Sequence, residues 1–499
     1  MRRFEKNRLS ARFGSFTEFA EGAGITHWLP RDLDTSELLT WLSVGVDSPL
    51  GGTAPRALIL EWYLREDLRA AFPGPSDGSF SSLLEWAKSD SEWAGGLGPA
   101  IMERSSAWGA LESRGDHLPT STVNRFASSY SGGRIDFRLL LELPEPDDGI
   151  LVAGLFADAS GLGLVARQVF KDLSNGVVGD ISSRVVRNSG HEQIEIVADD
   201  GPARDQALLV SGADASISRF APLEFMGATR RVGYLFWEVE SPVPGAHLVD
   251  QLFTELWAPS EFVATQLRRS TELPVLVVPP HLELSINDNS PREQHRYFVT
   301  TADFHSSLQR KNPYGAIDAF LLAARSGDDA ILKVKTINGA SFPRESMELD
   351  DYIGKFSCIE RVEANLTAIE MRQLIADASG LISLHRGEGL GLPIAEAMAA
   401  GVPVVATAFG GCVDFLNDST GFPVPYSSVP LERGGYGSVC ERMWAEPDLV
   451  SAAAAIRLIL DGSTEVRLRA EVGRRRVIEH FSLSRFMAHM QELGFLLKC

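Results

Sequence analysis

Two glutamates in one short stretch carry the clearest chemistry in this sequence. Glu388 and Glu396 are separated by seven residues, and Gly389, Leu390 and Gly391 directly follow the first of them. Glycines let a backbone approach a ligand closely, and the free N–H groups at a helix start favour an anion such as phosphate. Carboxylates accept hydrogen bonds from hydroxyl groups, such as those of a sugar or a ribose. These residue types together predict a site for a sugar linked to phosphate.

The residues around the glutamates predict the elements that must position them. Residues 381–384 form a short apolar run typical of a buried strand, and Pro393 suits the first turn of a helix, where its missing N–H leaves no bond unmade. Another apolar strand is predicted after Gly401. The order is a βαβ unit with its loop at the ligand-binding end. A plain crossover is the alternative, but it would leave two glutamates without partners, which is costly when they are buried.

The run EGLGLPIAEAMAAGVPVV, with its Glu-x7-Glu spacing, resembles the signature of the retaining glycosyltransferases of family four. The resemblance extends over roughly residues 145–480, and its specific motifs lie between 297 and 426. It implies an α/β protein of the GT-B fold, in which two Rossmann-like domains face each other across a cleft. The implied reaction moves a hexose-like sugar from a nucleotide diphosphate sugar to a hydroxyl of a glycan or lipid-linked acceptor. The resemblance implies neither a metal nor another cofactor.

The resemblance also assigns roles to single residues. Glu388 would bind the hydroxyls of the donor sugar, and Glu396 would hold the ribose hydroxyls of the nucleotide. The backbone N–H groups of residues 389–391, together with Lys311, would stabilise the diphosphate as its charge grows. In this family the leaving phosphate itself takes the proton of the acceptor, and the sequence shows no obvious protein base.

The run RKNP at residues 310–313 resembles the donor-phosphate site of the family. Lys311 would pair with the diphosphate, with Arg310 beside it, because a cation there neutralises charge on the leaving group. A second basic residue of the family, about six positions upstream, has no counterpart, and His305 or Ser306 stands in its place. Exposed charges in the first turn of a helix are the less favoured alternative for Arg310 and Lys311.

Three further residues, in two places in the first half of the chain, are candidates. A strand at 150–156 is followed by Gly161 and Gly163, which resemble the first loop of the family, where the backbone faces the acceptor and the diphosphate; a tight structural turn is the alternative. The hydrophobic strand at 232–238 ends at Glu238, which the resemblance makes a contact to the acceptor. A solvated glutamate at a strand end explains Glu238 equally well.

The predicted organisation has four parts. Residues 1–140 form a mostly helical accessory region, and residues 141–285 form the first Rossmann-like domain, which would bind the acceptor. Residues 292–475 form the second Rossmann-like domain, which would bind the nucleotide sugar. Residues 476–499 form a C-terminal helix that is expected to cross back to the first domain.

Composition narrows the class of protein. The formal net charge of -19 argues against a surface for nucleic acid. The four cysteines are scattered without metal-ligand spacing, which predicts reduced thiols in a cytoplasmic protein. No apolar run approaches the length of a membrane span, so we expect no transmembrane segment, while the basic N-terminal residues leave peripheral membrane contact open.

Other functions on the same fold remain open from the sequence. A nucleotide-sugar epimerase would use a similar cleft, and a glycan phosphorylase would need a lysine for pyridoxal phosphate, which we do not identify. A catalytically inactive scaffold that binds nucleotide sugars is a different class. The replacement of the second basic residue near His305 is the feature that favours the scaffold.

Overall fold

The computed structural model describes residues 146–158, 160–188, 194–197, 204–213, 227–243, 252–284, 297–431 and 442–498, with short stretches at 45–47, 53–55, 83, 130–131, 134–135, 225 and 249–250. In the first 140 residues it describes two short antiparallel strand pairs, Gly45–Asp47 with Thr53–Pro55 and Tyr130–Ser131 with Arg134–Ile135, and Leu83. The predicted helical accessory region therefore lies almost entirely outside the described residues.

The first domain is a seven-stranded sheet. Its strands are β1 (Asp147–Gly154), β2 (Ile181–Asn188), β3 (Ile194–Val197), β4 (Arg204–Gly212), β5 (Arg230–Phe236), β6 (Glu255–Ala258) and β7 (Val275–Val277), and its helices are α1 (Gly161–Gly176) and α2 (Glu261–Arg268). The strand order is β3-β2-β1-β4-β5-β6-β7. Every neighbouring pair is parallel except β2 with β3. This order is that of a Rossmann-like sheet with one antiparallel edge strand.

The second domain is a six-stranded parallel sheet. Its strands are β8 (Tyr297–Asp303), β9 (Ile331–Ile337), β10 (Ile359–Glu363), β11 (Gly380–Ser383), β12 (Val404–Thr407) and β13 (Phe422–Val424), and the helices between them are α3 (Leu308–Lys311), α4 (Pro313–Ala323), α5 (Pro343–Ile353), α6 (Ala368–Ala376) and α7 (Leu392–Ala399). The order is β10-β9-β8-β11-β12-β13, which is again that of a Rossmann-like domain. A separate antiparallel hairpin follows, formed by β14 (Tyr426–Pro430) and β15 (Met443–Pro447).

Apolar residues on both faces of the second sheet explain why helices cover it on both sides. All four residues of β12 are buried, as expected for a parallel strand between two helical layers. One face packs a core that includes Leu381, Met398 and Phe415, and the other packs Phe298, Phe320 and Ile456. Several helices begin at side-chain caps; Thr367, for example, forms a capping box with Glu370 at the start of α6.

Three C-terminal helices complete the chain: α8 (Leu449–Leu460), α9 (Thr464–His480) and α10 (Leu483–Glu492). The first two cover the second sheet, whereas α10 places Phe486 and Met490 in the core of the first domain. The chain then continues along α1, where the backbone N–H of Lys498 donates to the carbonyl of Gly176 at 2.8 Å. The last segment therefore connects the second domain back to the first.

The strand order reverses beside the first strand of each sheet, between β1 and β4 and between β8 and β11. Ligands of such sheets bind outside the carboxyl ends of the strands at this reversal. The loops that leave β1, β8 and β11 there lead to Gly161, Lys311 and Glu388. The two edges face each other, since a Cβ on Gly387 would lie 2.4 Å from the carbonyl oxygen of Glu238. The prediction of two Rossmann-like domains facing across a cleft is confirmed.

Candidate functional site

In the loop between β11 and α7, the position of Gly389 has no room for a side chain. A Cβ on Gly389 would come within 2.8 Å of the carbonyl oxygen of Trp237, in the first domain. Gly391 has φ +90° at the N-cap of α7, where no side chain caps the helix. The unpaired N–H groups of the first turn of α7 are thus available for an anion. The side chain of Leu390 is buried in the core, so only its backbone can serve a ligand.

A strained short helix delivers Lys311 to the same place. The four-residue helix α3 is bounded by Ser307 and Asn312, both non-glycine residues with positive φ, 66° and 51°. Such conformations cost about 1–3 kcal/mol each and persist only where neighbouring contacts impose them. Asn312 supplies two contacts: its side chain caps α4 at Gly315 and donates to the carbonyl of Leu384 at 2.8 Å.

Lys311 and Glu388 form an ion pair between α3 and the glycine loop, with 2.5 Å between Nζ and Oε2. Burial by itself would raise the pKa of Glu388. The positive charges of Lys311 and Arg310 outweigh burial, so that the pKa of this carboxyl falls to about 2. Glu388 is therefore an anion at neutral pH, able to accept hydrogen bonds from hydroxyl groups.

Arg310 is held by the protein itself. Its side chain is only 2% exposed; its guanidinium donates to the carbonyls of Ser306 at 3.0 Å and Gly387 at 2.8 Å and lies 3.2 Å from Glu238 Oε1. This position excludes the interpretation of Arg310 as an exposed charge. Glu238, the predicted acceptor contact, keeps one quarter of its side chain exposed while pairing with Arg310 across the domain boundary.

Glu396 lies one helical turn into α7 and is half-buried. Burial raises its pKa to about 7, and the charge of Arg372 opposes this only weakly. The carboxyl is therefore present in both protonation states near neutral pH. In its protonated form it can donate as well as accept a hydrogen bond.

The start of α1 forms the opposite side of the cleft. A Cβ on Gly161 would lie 2.8 Å from Leu392, at the start of α7, so the two helix N-termini meet. At Gly163 a side chain is excluded by the turn itself, because a Cβ there would lie 2.3 Å from the carbonyl oxygen of Asp158. Ser160 caps the helix through Gly163 N–H at 3.3 Å. The turn before α1 therefore requires a glycine at position 163.

The two histidines near these loops differ in their surroundings. His385 is fully buried, with Nε2 2.9 Å from the carbonyl oxygen of Phe409, and burial lowers its pKa. It is a structural residue behind the glycine loop. His305 is exposed and packs edge-on against Phe342. Within the described contacts, the structure does not join His305 to the Lys311–Glu388 pair.

Two residues that support the loop are absent from the sequence-based predictions. Ser260, at the start of α2, donates from Oγ to the carbonyl of Gly389 at 2.7 Å. Arg386, two residues before Glu388, binds Glu446 on the hairpin through two hydrogen bonds of 2.7 and 3.0 Å. Only its position inside the run HRGEG could have pointed to Arg386, since Glu446 lies 60 residues further on.

Among the described residues, no group of three or more His, Cys, Asp or Glu side chains could hold a metal ion. In the same part of the chain, no helix is long and apolar enough to cross a membrane.

The fold and the facing loops define the class, a two-domain α/β protein of GT-B architecture. Residues 304–431 match the model of the family described as "Glycosyl transferases group 1". The MMP alpha-(1->4)-mannosyltransferase of Mycolicibacterium hassiacum is 30% identical over 126 residues, which are 25% of this chain and 26% of that protein. The match thus spans about a quarter of the length of that curated relative.

Several solved structures are similar in part. A sucrose-phosphate synthase from Thermosynechococcus elongatus has a TM-score of 0.48 and 14% identity over 70% of this chain and 98% of that one. Anabaena HepE in complex with UDP and glucose has a TM-score of 0.45 and 14% identity over 58% and 78%. S. aureus TarM has a TM-score of 0.44 and 11% identity over 57% and 55%. The fold assignment itself rests on the strand orders described above.

Proposed function

We propose that this protein is a retaining glycosyltransferase. It moves a hexose-like sugar from a nucleotide diphosphate sugar to a hydroxyl of a glycan or lipid-linked acceptor, and the reaction needs no metal. The observation that carries the proposal is the Lys311–Glu388 ion pair, placed at the strand-order reversal of the second sheet and below the uncapped start of α7. The family match over residues 304–431 supports it.

Each group of the site has a task in this reaction. Lys311 and the N–H groups at the start of α7 bind the diphosphate, and they act most strongly when the leaving group gains charge. Glu388, ionised at neutral pH, accepts hydrogen bonds from the donor sugar. Glu396 lies one helical turn into α7 and would bind the ribose hydroxyls. Glu238 lies across the domain boundary and would contact the acceptor.

Donor binding reorganises the ion pair. Lys311 touches Glu388 Oε2 directly, so it must turn towards the diphosphate as the sugar takes its place at Glu388. The exchange replaces one ion pair by another, which limits the desolvation penalty of binding. Glu388 keeps the nearby charge of Arg310, 3.8 Å away, when Lys311 leaves.

The test has two steps. A thermal-shift screen with UDP-, GDP-, ADP- and dTDP-sugars identifies the donor, because only a bound ligand stabilises the native state. Hydrolysis and transfer are then measured for the parent protein, for Glu388→Ala, and for Glu479→Ala as the control at an exposed position on α9. We expect Glu388→Ala alone to lose turnover by at least about a hundredfold. Equal turnover in all three proteins would remove Glu388 from the mechanism.

An inactive scaffold that binds nucleotide sugars is the second candidate. The sequence has no lysine or arginine at the position of His305, which favours the scaffold. Arg310 does not replace that residue, because protein carbonyl groups already bind its guanidinium. Tight nucleotide binding without turnover, even when acceptors are supplied, would establish the scaffold. Interconversion of free nucleotide sugars would instead indicate an epimerase.

A further inference from the structure

We propose that Arg386 and Glu446 are positioning residues that hold Lys311 at hydrogen-bonding distance from Glu388. This inference deepens the proposed function and rests on it for its kinetic consequences. Neither residue points at the ion pair directly. Both act through the backbone of α3 and the glycine loop.

The short helix α3 needs an external support. It has four residues, and the left-handed conformations of Ser307 and Asn312 at its two ends are unfavourable by themselves. Its last carbonyl groups lack partners inside the helix, as at any helix C-terminus. The position of Lys311 is therefore set by whatever binds those carbonyls.

Arg386 binds two of them. Its Nη1 donates to the carbonyl of Gln309 at 2.9 Å, and its backbone N–H donates to the carbonyl of Arg310 at 2.7 Å. Arg386 also stands two residues before Glu388 in the glycine loop. One residue thus fixes the element that carries the lysine relative to the loop that carries the carboxylate.

The hairpin fixes Arg386 in turn. Glu446 accepts from Nε and Nη2 of Arg386 in a bidentate pair, and the guanidinium lies 5.5 Å from the ring centroid of Trp444. The backbone N–H of Ala445 donates to the carbonyl of Arg386 at 2.9 Å. A planar, doubly bonded guanidinium has one favoured orientation, which a lysine could not reproduce.

The hairpin also joins the first domain. Met443 and Glu240 exchange two backbone hydrogen bonds of 3.0 and 3.1 Å. Glu240 lies two residues after Glu238, which pairs with Arg310. Strand β15 therefore contacts both domains beside the cleft, and Arg386–Glu446 transmits its position to the donor loops.

A matched pair of variants tests the inference. Glu446→Ala removes the carboxylate from Arg386. The control Asp461→Ala removes a carboxylate that accepts from Nε and Nη2 of Arg457, on α8, through its one oxygen Oδ1 at 3.0 and 2.7 Å. The two carboxylates are 43% and 50% exposed and their arginines 21% and 16%. Each arginine keeps a second acceptor, Gln309 for Arg386 and Asp328 for Arg457, so neither variant should unfold the protein. Glu446→Gln, which keeps one acceptor oxygen, is the conservative variant.

We expect kcat of Glu446→Ala to fall at least about tenfold with a smaller change in KM, because misplacement affects the reacting geometry more than binding. Glu446→Gln should recover part of this loss, and Asp461→Ala should stay within about twofold of the parent. Hydrogen exchange of the amides in residues 308–312 should accelerate in Glu446→Ala and not in Asp461→Ala.

Equal kinetics and equal exchange in the two alanine variants would overturn the inference. A parent protein without turnover on any nucleotide sugar would refute the proposed function instead. In that case the exchange of residues 308–312 still decides whether Glu446 positions α3.

Discussion

Exchange of Lys311 for methionine perturbs the ion pair with Glu388 while keeping an aliphatic side chain of similar length. The Glu388 side chain is 12% exposed and that of Lys311 is 18%, so water screens the pair only in part. Breaking a buried pair typically costs about 3–5 kcal/mol. Because both groups retain some solvent contact and Arg310 remains 3.8 Å from Oε2, we expect a loss of about 2–3 kcal/mol at pH 7.

The pH dependence of the free energy of unfolding tests the ion pair more directly than one measurement at pH 7. The pKa of Glu388 is lowered from 4.5 to about 2, so its stabilising contribution is complete above about pH 4.5 and is lost as the pH falls towards 2. From this pKa shift, the free energy of unfolding should fall by about 1 kcal/mol at pH 4 and by about 2 kcal/mol at pH 3. In Lys311→Met the charge that lowers this pKa is missing, so the loss between pH 5 and pH 3 should shrink.

Urea unfolding followed by tryptophan fluorescence measures these free energies at each pH. Glu388→Gln removes the titrating group and supplies the baseline from all other carboxylates. The double variant Lys311→Met/Glu388→Gln should be more stable than Lys311→Met, because it no longer contains a buried carboxylate whose nearest remaining cation is Arg310, 3.8 Å away. If Lys311→Met matches the parent in both stability and pH slope, the ion pair contributes nothing and the assigned geometry of the site is wrong.

Two further predictions concern the same loop and its helix. Burial raises the pKa of Glu396 to about 7, so its contribution to stability is complete below about pH 4.5 and falls as the pH rises through 7. The free energy of unfolding of Glu396→Gln should therefore exceed that of the parent by up to about 3 kcal/mol at pH 8 and equal it at pH 4.5. Urea unfolding at the two pH values measures both differences, and equal differences would contradict the prediction. Gly410→Ala should destabilise strongly, because its Cβ would lie 2.1 Å from the carbonyl oxygen of Glu388 at φ +87°. The control Gly462→Ala has φ +70° with nothing within 4 Å and should cost only about 1–2 kcal/mol; similar thermal shifts for both would refute the steric argument.

Local patterns were sufficient for most of the fold. Apolar runs such as residues 381–384, the proline at 393 and the glycines around them specify strands, helix starts and turns through neighbours in sequence. Alternation of these elements then implies parallel sheets, since a strand, a helix and a second strand can close only by a crossover. The family resemblance, and not this reasoning, placed Lys311 and Glu388 in one donor site.

The remaining features depend on contacts between distant residues. The burial of Arg310 arises from carbonyls at positions 306 and 387 and a carboxylate at 238, none of which its own neighbours indicate. The hairpin escaped prediction because β14 is short, largely exposed and contains serine and proline, so no alternation marks it as a strand. The raised pKa of Glu396 likewise follows from packing around α7.

The return of α10 to the first domain has a consequence for synthesis of the chain. Phe486, Met490 and Phe495 fill the same core as Val152 and Trp257, yet roughly 200 residues separate them from β7. At about 5–20 residues per second, the ribosome needs roughly 10–40 s to make that distance. During this interval the first domain lacks part of its interior, so the apolar surface that these residues later cover is exposed to solvent. The domain that is made first is therefore the last to be finished.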